Sequence, residues 1–237
     1  PGDNGGALGA AFIVSSKYNN KVKNVKTPYL GRDFSNLEII NFLKSESSLK
    51  KLSYEYFEND ELLYKFAAKL ISEGNVIGWF QGKMEFGPRA LGNRSILADP
   101  RNPNMKNIIN MKIKRRESFR PFAPSVLKEF QNIWFNSNFT NPYMSSLAEV
   151  KNEKKFLIPA VTHIDGTARL QSVDLNNNHR YATLIKYFNL LTGVPILLNT
   201  SFNENEPIVM TPKQATECLL RTDMDALFIN NYLIKKI

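Results

Sequence analysis

Apolar runs of strand length alternate with amphipathic segments of helical spacing along much of the chain, and this alternation constrains the fold most. Residues 76–80 and 194–198 are short apolar runs, which are typical of buried strands. Residues 60–71 and 181–192 carry apolar side chains at helical spacing, and a glycine stands shortly after each segment. Because helices and strands are mixed, we expect an α+β or mixed α/β fold.

Residues that favour helix ends and turns set the limits of the predicted elements. Asp60 is predicted to cap its helix, and Gly74 to end it. Thr211, followed by Pro212 and Gln214, predicts a capping box at the start of another helix. The remaining predicted elements are helices at 36–44 (capped by Ser35), 104–116 and 126–135, a strand at 156–162, and a hairpin over 226–234 that turns at Asn230 and Asn231.

Composition excludes several classes of protein. The chain has 237 residues, of which 43% are apolar and 22% charged, as in ordinary soluble globular proteins and unlike collagen-like or disordered chains. No segment approaches the ~20 apolar residues that a membrane-spanning helix needs. The single cysteine, Cys218, cannot form an internal disulfide. This favours a reducing compartment, and we expect a cytoplasmic protein.

The chain divides by composition into three parts. Residues 1–18 combine glycines with small residues, which fits either a tight turn into a packed helix or a glycine loop that approaches a phosphate. Residues 19–57 are rich in Lys, Asn, Ser and Tyr, so we expect a connector. Residues 58–237 should form one compact unit. The first part therefore looks like the end of a domain that this chain lacks.

Positive charge is concentrated in one stretch of the chain. The formal net charge is +9, and residues 83–120 hold ten Lys and Arg against three Asp and Glu, a local excess of +7. A solvated face normally interleaves charges of both signs. The concentration therefore predicts an anionic partner, such as a phosphate, a nucleotide or a nucleic acid.

Residues 82–95 are the first candidate site. They follow a predicted strand and combine three glycines and a proline with Lys83, Arg89 and Arg94. Arginine suits two-pronged contacts with phosphate or carboxylate. A basic surface loop would also carry such residues, but the recurrence of glycines and cations after a buried strand favours an anion-binding loop.

A second basic segment spans residues 114–122. Its four cations repel one another unless an anion or solvent relieves them; they are Lys114, Arg115, Arg116 and Arg120. A solvated helix end is the alternative interpretation, since cations also suit the negative end of a helix. The neighbouring Phe119, Pro121 and Phe122 favour a segment that packs against the protein.

Two further polar segments are candidates. Asn199, Ser201 and Asn203 stand where an apolar strand ends, a place that suits either ligand contacts or a local hydrogen-bonded turn. His163, Asp165 and Arg169 form the other segment, although a lone histidine is usually structural. With two histidines and one cysteine in the chain, no zinc site of several such ligands is available.

Residues 82–97, GKMEFGPRALGNRSIL, closely resemble the signature of O-carbamoyltransferases of the NodU/CmcH type. Residues 114–124, 162–169 and 199–203 match as well. This half of such enzymes is similar to YrdC, a carbamoyl-adenylate-forming fold with a twisted mixed sheet and flanking helices. The resemblance implies a YrdC-like domain preceded, over residues 1–18, by a remnant of the family's actin-like ATPase domain.

The resemblance also implies a reaction. Enzymes of this type use carbamoyl phosphate and ATP, the latter with magnesium. The YrdC-like half releases carbamate and joins it to AMP with loss of pyrophosphate. The carbamoyl-adenylate then passes to the actin-like domain, which carbamoylates a hydroxyl of the acceptor. The identity of that acceptor does not follow from this half.

Roles for individual residues follow from the same resemblance. The Lys-x-Arg pair of YrdC-like proteins matches Lys114 and Arg116, which would hold the ATP phosphates and the leaving pyrophosphate. Their Ser-x-Asn pair matches Ser201 and Asn203, which would hold the α-phosphate or the carbamate. Arg89 and Arg94 would bind carbamoyl phosphate or its released phosphate, and Lys83, Arg120, His163, Asp165, Arg169 and Asn199 would line the site.

One part of the family pattern is missing. The resemblance would make Asp3 a ligand of an iron-type metal in the full-length enzyme, together with a His-x-x-x-His pair and another aspartate. This chain has no such pair, so we expect no complete metal site in it. We expect instead the C-terminal half of a longer enzyme whose partner is the N-terminal domain.

Two other classes of function compete with this one. A basic YrdC-like module could bind RNA through its phosphates alone. Such grooves interleave cations with exposed aromatic side chains, whereas the cations here alternate with Gly, Pro and small residues. This residue pattern makes nucleic-acid binding the weaker hypothesis. The other alternative is an inert half that only docks on its partner domain.

Overall fold

A mixed β-sheet lies at the centre of the protein in a computed structural model that describes residues 3–18, 25, 27–45, 51–117 and 120–237. The strands are β1 (Leu52–Tyr56), β2 (Ile77–Phe80), β3 (Arg94–Ala98), β4 (Ala123–Leu127), β5 (Phe135–Asn136), β6 (Ala148–Val150), β7 (Thr167–Ala168), β8 (Gln171–Val173), β9 (Ile196–Ser201), β10 (Ala226–Ile229) and β11 (Tyr232–Lys236). Eight of them form the main sheet in the order β1-β11-β10-β2-β3-β9-β4-β8.

Most neighbours in the main sheet are antiparallel. The parallel pairs are β2 with β10 and β4 with β8, so the sheet is mixed, as the resemblance implied. The predicted hairpin is confirmed by the pairing of β10 with β11, and Asn230 takes the left-handed conformation in its turn. Strands β5, β6 and β7 form a separate small antiparallel sheet.

Helices and shorter turns pack around the strands. They are α1 (Asp3–Lys17), α2 (Asn36–Ser45), α3 (Asp60–Ser72), α4 (Met105–Ile109), α5 (Gln131–Trp134), α6 (His179–Thr192) and α7 (Pro212–Arg221), with a π-helical turn at Asn110–Lys114 and 3₁₀ turns at Lys128–Phe130, Asn152–Leu157 and Pro159–Val161. Helices α3 and α6 pack against each other and bury Leu63, Ile71, Leu184 and Phe188 completely. No helix among the described residues is long and apolar enough to cross a membrane.

Local sequence signals located several helix ends correctly. The capping box at α7 is confirmed, because Thr211 and Gln214 exchange side-chain and backbone hydrogen bonds. Ser35 caps α2 by accepting from the Glu38 N–H. At α3 the prediction was off by one residue, since the Asn59 side chain, rather than Asp60, accepts a backbone N–H.

Two predicted elements are wrong. Most of the helix predicted at 126–135 is absent: β4 occupies Ala123–Leu127, and only Gln131–Trp134 is α-helical. Pairing with β9 on one side and β8 on the other outweighs the helical spacing there. The strand predicted at 156–162 forms 3₁₀ turns instead, and Pro159 has no N–H for a strand ladder.

The first third of the chain contains a strand that the sequence did not suggest, whereas the helix predicted at 36–44 is confirmed as α2 (Asn36–Ser45). Strand β1 lies within the predicted connector and pairs with β11 at one edge of the main sheet. Ile39 and Leu43 of α2 join the hydrophobic core. Helix α1 begins at Asp3, so Gly5 and Gly6 lie inside a helix rather than in a loop before it.

Candidate anion-binding site

The loop between β2 and β3 is organised by a buried carboxylate. One oxygen of Glu85, Oε1, accepts the backbone N–H groups of Leu91 (2.8 Å), Asn93 (2.7 Å) and Arg94 (3.2 Å). Successive N–H groups that point inward form a concavity for an anion. Here the loop fills that concavity with its own side chain, which fixes the path of the segment that carries Arg89.

Arg94 lies beneath this loop and has no exposed surface. Its guanidinium donates to the carbonyls of Gln81 (2.8 Å), Asn93 (2.9 Å) and Arg32 (3.1 Å), and it stacks 3.6 Å from the centre of the Phe80 ring. Burial lowers the pKa of Arg94 to about 10, so the group stays charged at neutral pH. In this position the arginine holds the backbone of two loops together.

Asn199 is also buried, in a network below the same loop. Its Nδ2 donates to the Ala90 carbonyl, Ser125 Oγ and Gln171 Oε1, each at 3.1 Å. Gln171 in turn donates to the Leu91 carbonyl (2.8 Å). The network therefore attaches the loop to β4, β8 and β9, and Asn199 lies within the protein rather than on an open surface.

Lys114 ends the π-helical turn and is only 3% exposed. Its ammonium group donates to the carbonyls of Ser201 (2.6 Å) and Asn203 (2.7 Å), to Asn203 Oδ1 (2.6 Å) and to Ser201 Oγ (3.2 Å). The structure thus brings Lys114, one member of the predicted Lys-x-Arg pair, into contact with both members of the predicted Ser-x-Asn pair, Ser201 and Asn203. Four oxygens surround one ammonium group, which orders the turn after β9.

Opposing effects of the surroundings determine the pKa of Lys114. Burial, followed by the charge of Arg116, lowers the pKa of Lys114 to about 7, and Cys218 and Glu206 oppose this shift. The surrounding oxygens accept hydrogen bonds and so favour the protonated form. An anion beside Lys114 would favour it further, because an opposite charge stabilises the ammonium.

Acidic residues hold the turn that follows Asn203. The Asn203 amide donates to the Glu206 carbonyl (2.7 Å), and the Glu206 carboxylate accepts the backbone N–H groups of residues 204 and 205. Arg221 of α7 pairs with the same carboxylate (2.7 Å). Asn203 is therefore anchored from both sides, which fixes where its side chain meets Lys114.

Several cations lie close enough to affect each other's ionisation. Burial, and then Arg120, lowers the pKa of Arg116. Burial, and then Arg89 and Arg116, lowers the pKa of Arg169. Arg116 also lies 4.5 Å from the centre of the Phe122 ring. Among the described residues, Nε of Arg116 and Nε of Arg169 are buried without a hydrogen-bond partner.

His163 extends this group of cations. Its Nδ1 lies 3.1 Å from Thr167 Oγ1, and that hydroxyl donates to Asp165 Oδ1 (2.7 Å). Burial lowers the pKa of His163, Asp165 opposes the shift, and Lys106 and Arg169 add to it. We call Arg89, Lys106, Lys114, Arg116 and Arg169 the cationic cluster. Like charges converge there, and such an arrangement suits a multiply charged anion.

Other cations of the basic stretch are neutralised by acids. Ion pairs join Arg101 to Asp99 (2.6 Å), Lys112 to Asp225 (2.6 Å), Arg115 to Glu204 (3.4 Å) and Arg120 to Glu117 (3.0 Å). Asp225 and Glu204 lie outside residues 83–120, so the local excess of +7 overstated the free charge. Lys83 is exposed, and only its backbone carbonyl is bonded in the loop, by Asn93.

Sequence reasoning missed three residues of the site. Glu85 was counted only as one acid and Lys106 only as one cation of the basic stretch, and Thr167 had no assigned part. A carboxylate within a glycine-rich loop was the available signal for Glu85. The contacts of Lys106 and Thr167 depend on tertiary placement, which spacing along the chain does not reveal.

The described residues offer no metal site. No three His, Cys, Asp or Glu side chains among them come together as ligands. The side chain of Asp3, the predicted ligand of an iron-type metal, lies outside what the structure describes. We therefore derive no step through a metal held by this chain.

Comparison with known proteins places this site in a family. A family model described as the carbamoyltransferase C-terminus matches residues 68–236. The chain belongs to this family. The match includes the loop after β2, the cationic cluster and the turn after β9, so every group of the candidate site lies in the shared domain.

Longer relatives share nearly the whole chain. Nodulation protein NolNO of Sinorhizobium fredii is 45% identical over 99% of this chain and 35% of its own length. An uncharacterized protein of Synechocystis sp. is 43% identical over 99% of this chain and 42% of its own length. The chain therefore spans about two-fifths or less of these two relatives. Among solved structures, full-length HypF in the phosphate- and nucleotide-bound form has a TM-score of 0.48 at 18% identity, covering 76% of this chain and 22% of that one, which is too weak a likeness to define the fold.

Proposed function

We propose that this chain is the part of an O-carbamoyltransferase that forms carbamoyl-adenylate from carbamoyl phosphate and ATP. The observation that carries the proposal is the cationic cluster, in which like charges converge inside the family's shared domain. Both substrates are polyanions, and a bound anion would relieve the repulsion among these side chains. Magnesium would accompany the nucleotide.

The reaction divides into two balanced steps. Water releases carbamate and inorganic phosphate from carbamoyl phosphate. A carbamate oxygen then attacks the α-phosphorus of ATP, an O–P bond forms, and the bond to the bridging oxygen breaks as pyrophosphate leaves. Charge that develops on the phosphate oxygens is stabilised by fixed cations in a site that excludes water.

Each part of the site has a role in this scheme. Arg116 and Arg169 hold phosphate oxygens, while Lys114 supplies charge and orders Ser201 and Asn203 against the α-phosphate. Arg89 binds the phosphate of carbamoyl phosphate from the rim of its loop. Arg94 and Asn199 lie beneath the loop, and we assign them to positioning it rather than to contact with the anion.

The second half of the reaction would take place elsewhere. We infer that the acceptor hydroxyl binds in a part of the longer relatives that this chain does not match, with an actin-like domain as the partner. The isolated chain should then activate carbamate without carbamoylating an acceptor.

Pyrophosphate exchange into ATP tests the proposal. We expect labelled pyrophosphate to enter ATP only when carbamoyl phosphate is present. Lys114→Ala should slow this exchange by ~100-fold, the usual effect of removing one group that stabilises transition-state charge. Lys186→Ala removes an exposed lysine of α6 and serves as the matched control.

Three outcomes would contradict this assignment. Exchange that does not depend on carbamoyl phosphate would exclude the carbamate step. Unchanged exchange in Lys114→Ala would remove Lys114 from the site. Tight RNA binding without any ATP binding would favour the nucleic-acid module instead.

A further inference from the structure

Asp165, Thr167 and His163 form a short chain of hydrogen bonds, and the donor and acceptor of each bond follow from the protonation of Asp165. Asp165 Oδ1 accepts from the Thr167 backbone N–H (2.9 Å) and from the Thr167 hydroxyl (2.7 Å). These bonds lower the pKa of Asp165, so its carboxylate is ionised at neutral pH. An ionised carboxylate only accepts, and therefore the Thr167 hydroxyl must spend its single hydrogen on Asp165.

This direction fixes the tautomer of His163. The Thr167 hydroxyl has no second hydrogen, so the 3.1 Å contact with His163 requires the hydrogen to be on Nδ1. In a neutral imidazole with hydrogen on Nδ1, the other nitrogen, Nε2, carries a lone pair. The relay from Asp165 through Thr167 therefore makes Nε2 a hydrogen-bond acceptor.

The surroundings keep the ring neutral and leave that acceptor unused. The charged groups facing His163 are Asp165, Lys106 and Arg169, and burial together with the two cations lowers its pKa. Nε2 is buried without a hydrogen-bond partner in the described part of the chain. The ammonium of Lys106 donates to the Thr162 carbonyl (3.2 Å). A buried acceptor without a donor is costly, and a ligand can supply the donor.

We propose that His163 Nε2 accepts a hydrogen bond from the amide group of the carbamoyl ligand, and that the Asp165–Thr167 relay sets it up to do so. The cationic cluster attracts the ligand's negative charge, whereas Nε2 can accept a hydrogen bond from an N–H group. A phosphorylated carbamoyl group offers both, and an acyl phosphate with a methyl group in place of the NH₂ offers only the charge. His163 is thus a specificity-determining residue. This inference rests on the proposed function and adds recognition of the carbamoyl nitrogen.

Two stable phosphonates of nearly equal shape test the selectivity. Phosphonoacetamide carries the NH₂ group, and 2-oxopropylphosphonate carries a methyl group in its place. By calorimetry we expect the chain to bind the amide ~10-fold more tightly than the methyl ketone. His163→Ala should abolish this preference by weakening the amide alone. His179→Ala, which removes the exposed histidine at the start of α6, should retain it.

Nitrogen NMR of histidine-labelled protein tests the relay directly. The chain has only two histidines, so His179→Ala leaves the signals of His163 alone. We expect Nδ1 of His163 to carry hydrogen and Nε2 to be unprotonated at neutral pH. Thr167→Val keeps the shape of the side chain but removes the hydroxyl, and it should mix the two tautomers and reduce the preference for the amide.

The outcomes separate this inference from the proposed function. Equal binding of the two phosphonates, or an equal loss of both in His163→Ala, would overturn the role of His163 and leave the exchange reaction unaffected. Hydrogen on Nε2 in the unmodified ring would overturn the relay. Absence of phosphonate binding together with absence of carbamoyl-phosphate-dependent exchange would overturn both proposals.

Discussion

Two regions of the molecule contain buried arginines but use them differently. One is the floor of the loop after β2, which comprises Gly92, Arg94 and Asn199, and the other is the cationic cluster. In the floor, the guanidinium of Arg94 is bonded to three backbone carbonyls and stacked on a ring. In the cluster, the charges of Arg89 and Arg116 act on Arg169, and the Arg169 guanidinium makes no hydrogen bond among the described residues. Nε is buried without a partner in both Arg94 and Arg169, so the contrast lies in the terminal nitrogens. A buried arginine can therefore serve either the fold or a ligand, and the hydrogen bonds of its terminal nitrogens distinguish the two roles.

The same substitution at the two arginines should change stability by very different amounts. Arg94→Met removes three hydrogen bonds of a buried guanidinium, and although the Asn93 and Arg32 carbonyls keep backbone donors, the Gln81 carbonyl loses its donor. We therefore expect the free energy of unfolding to fall by about 3 kcal/mol. Arg169→Met removes a cation that burial and like charges disfavour, and it should change stability by less than about 1 kcal/mol. Urea unfolding of both variants measures the difference. Equal losses would erase the distinction between floor and cluster.

Gly92 provides the next sharpest test of the floor. Its φ is +104°, and an added Cβ would lie 2.1 Å from a ring carbon of Tyr181, which is fully buried. We expect Gly92→Ala to cost about 3 kcal/mol through strain and overpacking. Gly193→Ala is the control, since Gly193 also has a positive φ but open space around it, and it should cost only about 1 kcal/mol. Similar thermal shifts in the two variants would mean that the loop is free to move.

Lys114 belongs to the cationic cluster, and its titration gives a smaller, pH-dependent effect. Its pKa is about 7 in the folded chain, against about 10.4 for an ordinary lysine. Between these values the unfolded chain binds more protons, so stability should rise with pH relative to Lys114→Met, by up to about 1.4 kcal/mol per pH unit. Urea unfolding of both proteins at pH 7 and pH 9 checks this. A stability difference that is the same at both values would show that burial does not penalise this ammonium.

Sequence patterns predicted well those elements whose signals are local. The capping residues of α7, the end of α6 at Gly193 and the β10–β11 hairpin depend on neighbours in the chain, and all three were located. Strand β4 was missed because its state depends on two distant strands. A helical spacing of apolar residues cannot reveal pairing of that kind.

The candidate site shows the same limit. The resemblance selected the loop after β2, Lys114 with Arg116, and Ser201 with Asn203, and the structure brings Lys114 into contact with Ser201 and Asn203. The resemblance gave Arg89 and Arg94 the same role, although Arg89 is exposed and Arg94 is completely buried. Which way each side chain turns depends on packing against residues far along the chain, such as Arg32 and Phe80.

Pyrophosphate binding tests the central claim, that the cationic cluster is kept for an anion, most directly. Calorimetry should show that the chain binds pyrophosphate, that Arg169→Met weakens this affinity ~10-fold, the effect of losing one charged hydrogen bond, and that Lys186→Met, with the same change of net charge, leaves it intact. Equal affinity in all three proteins would contradict the claim, because Arg169 would then take no part in binding. Equal weakening in both variants would also contradict it, because the anion would then respond to overall charge and not to this site.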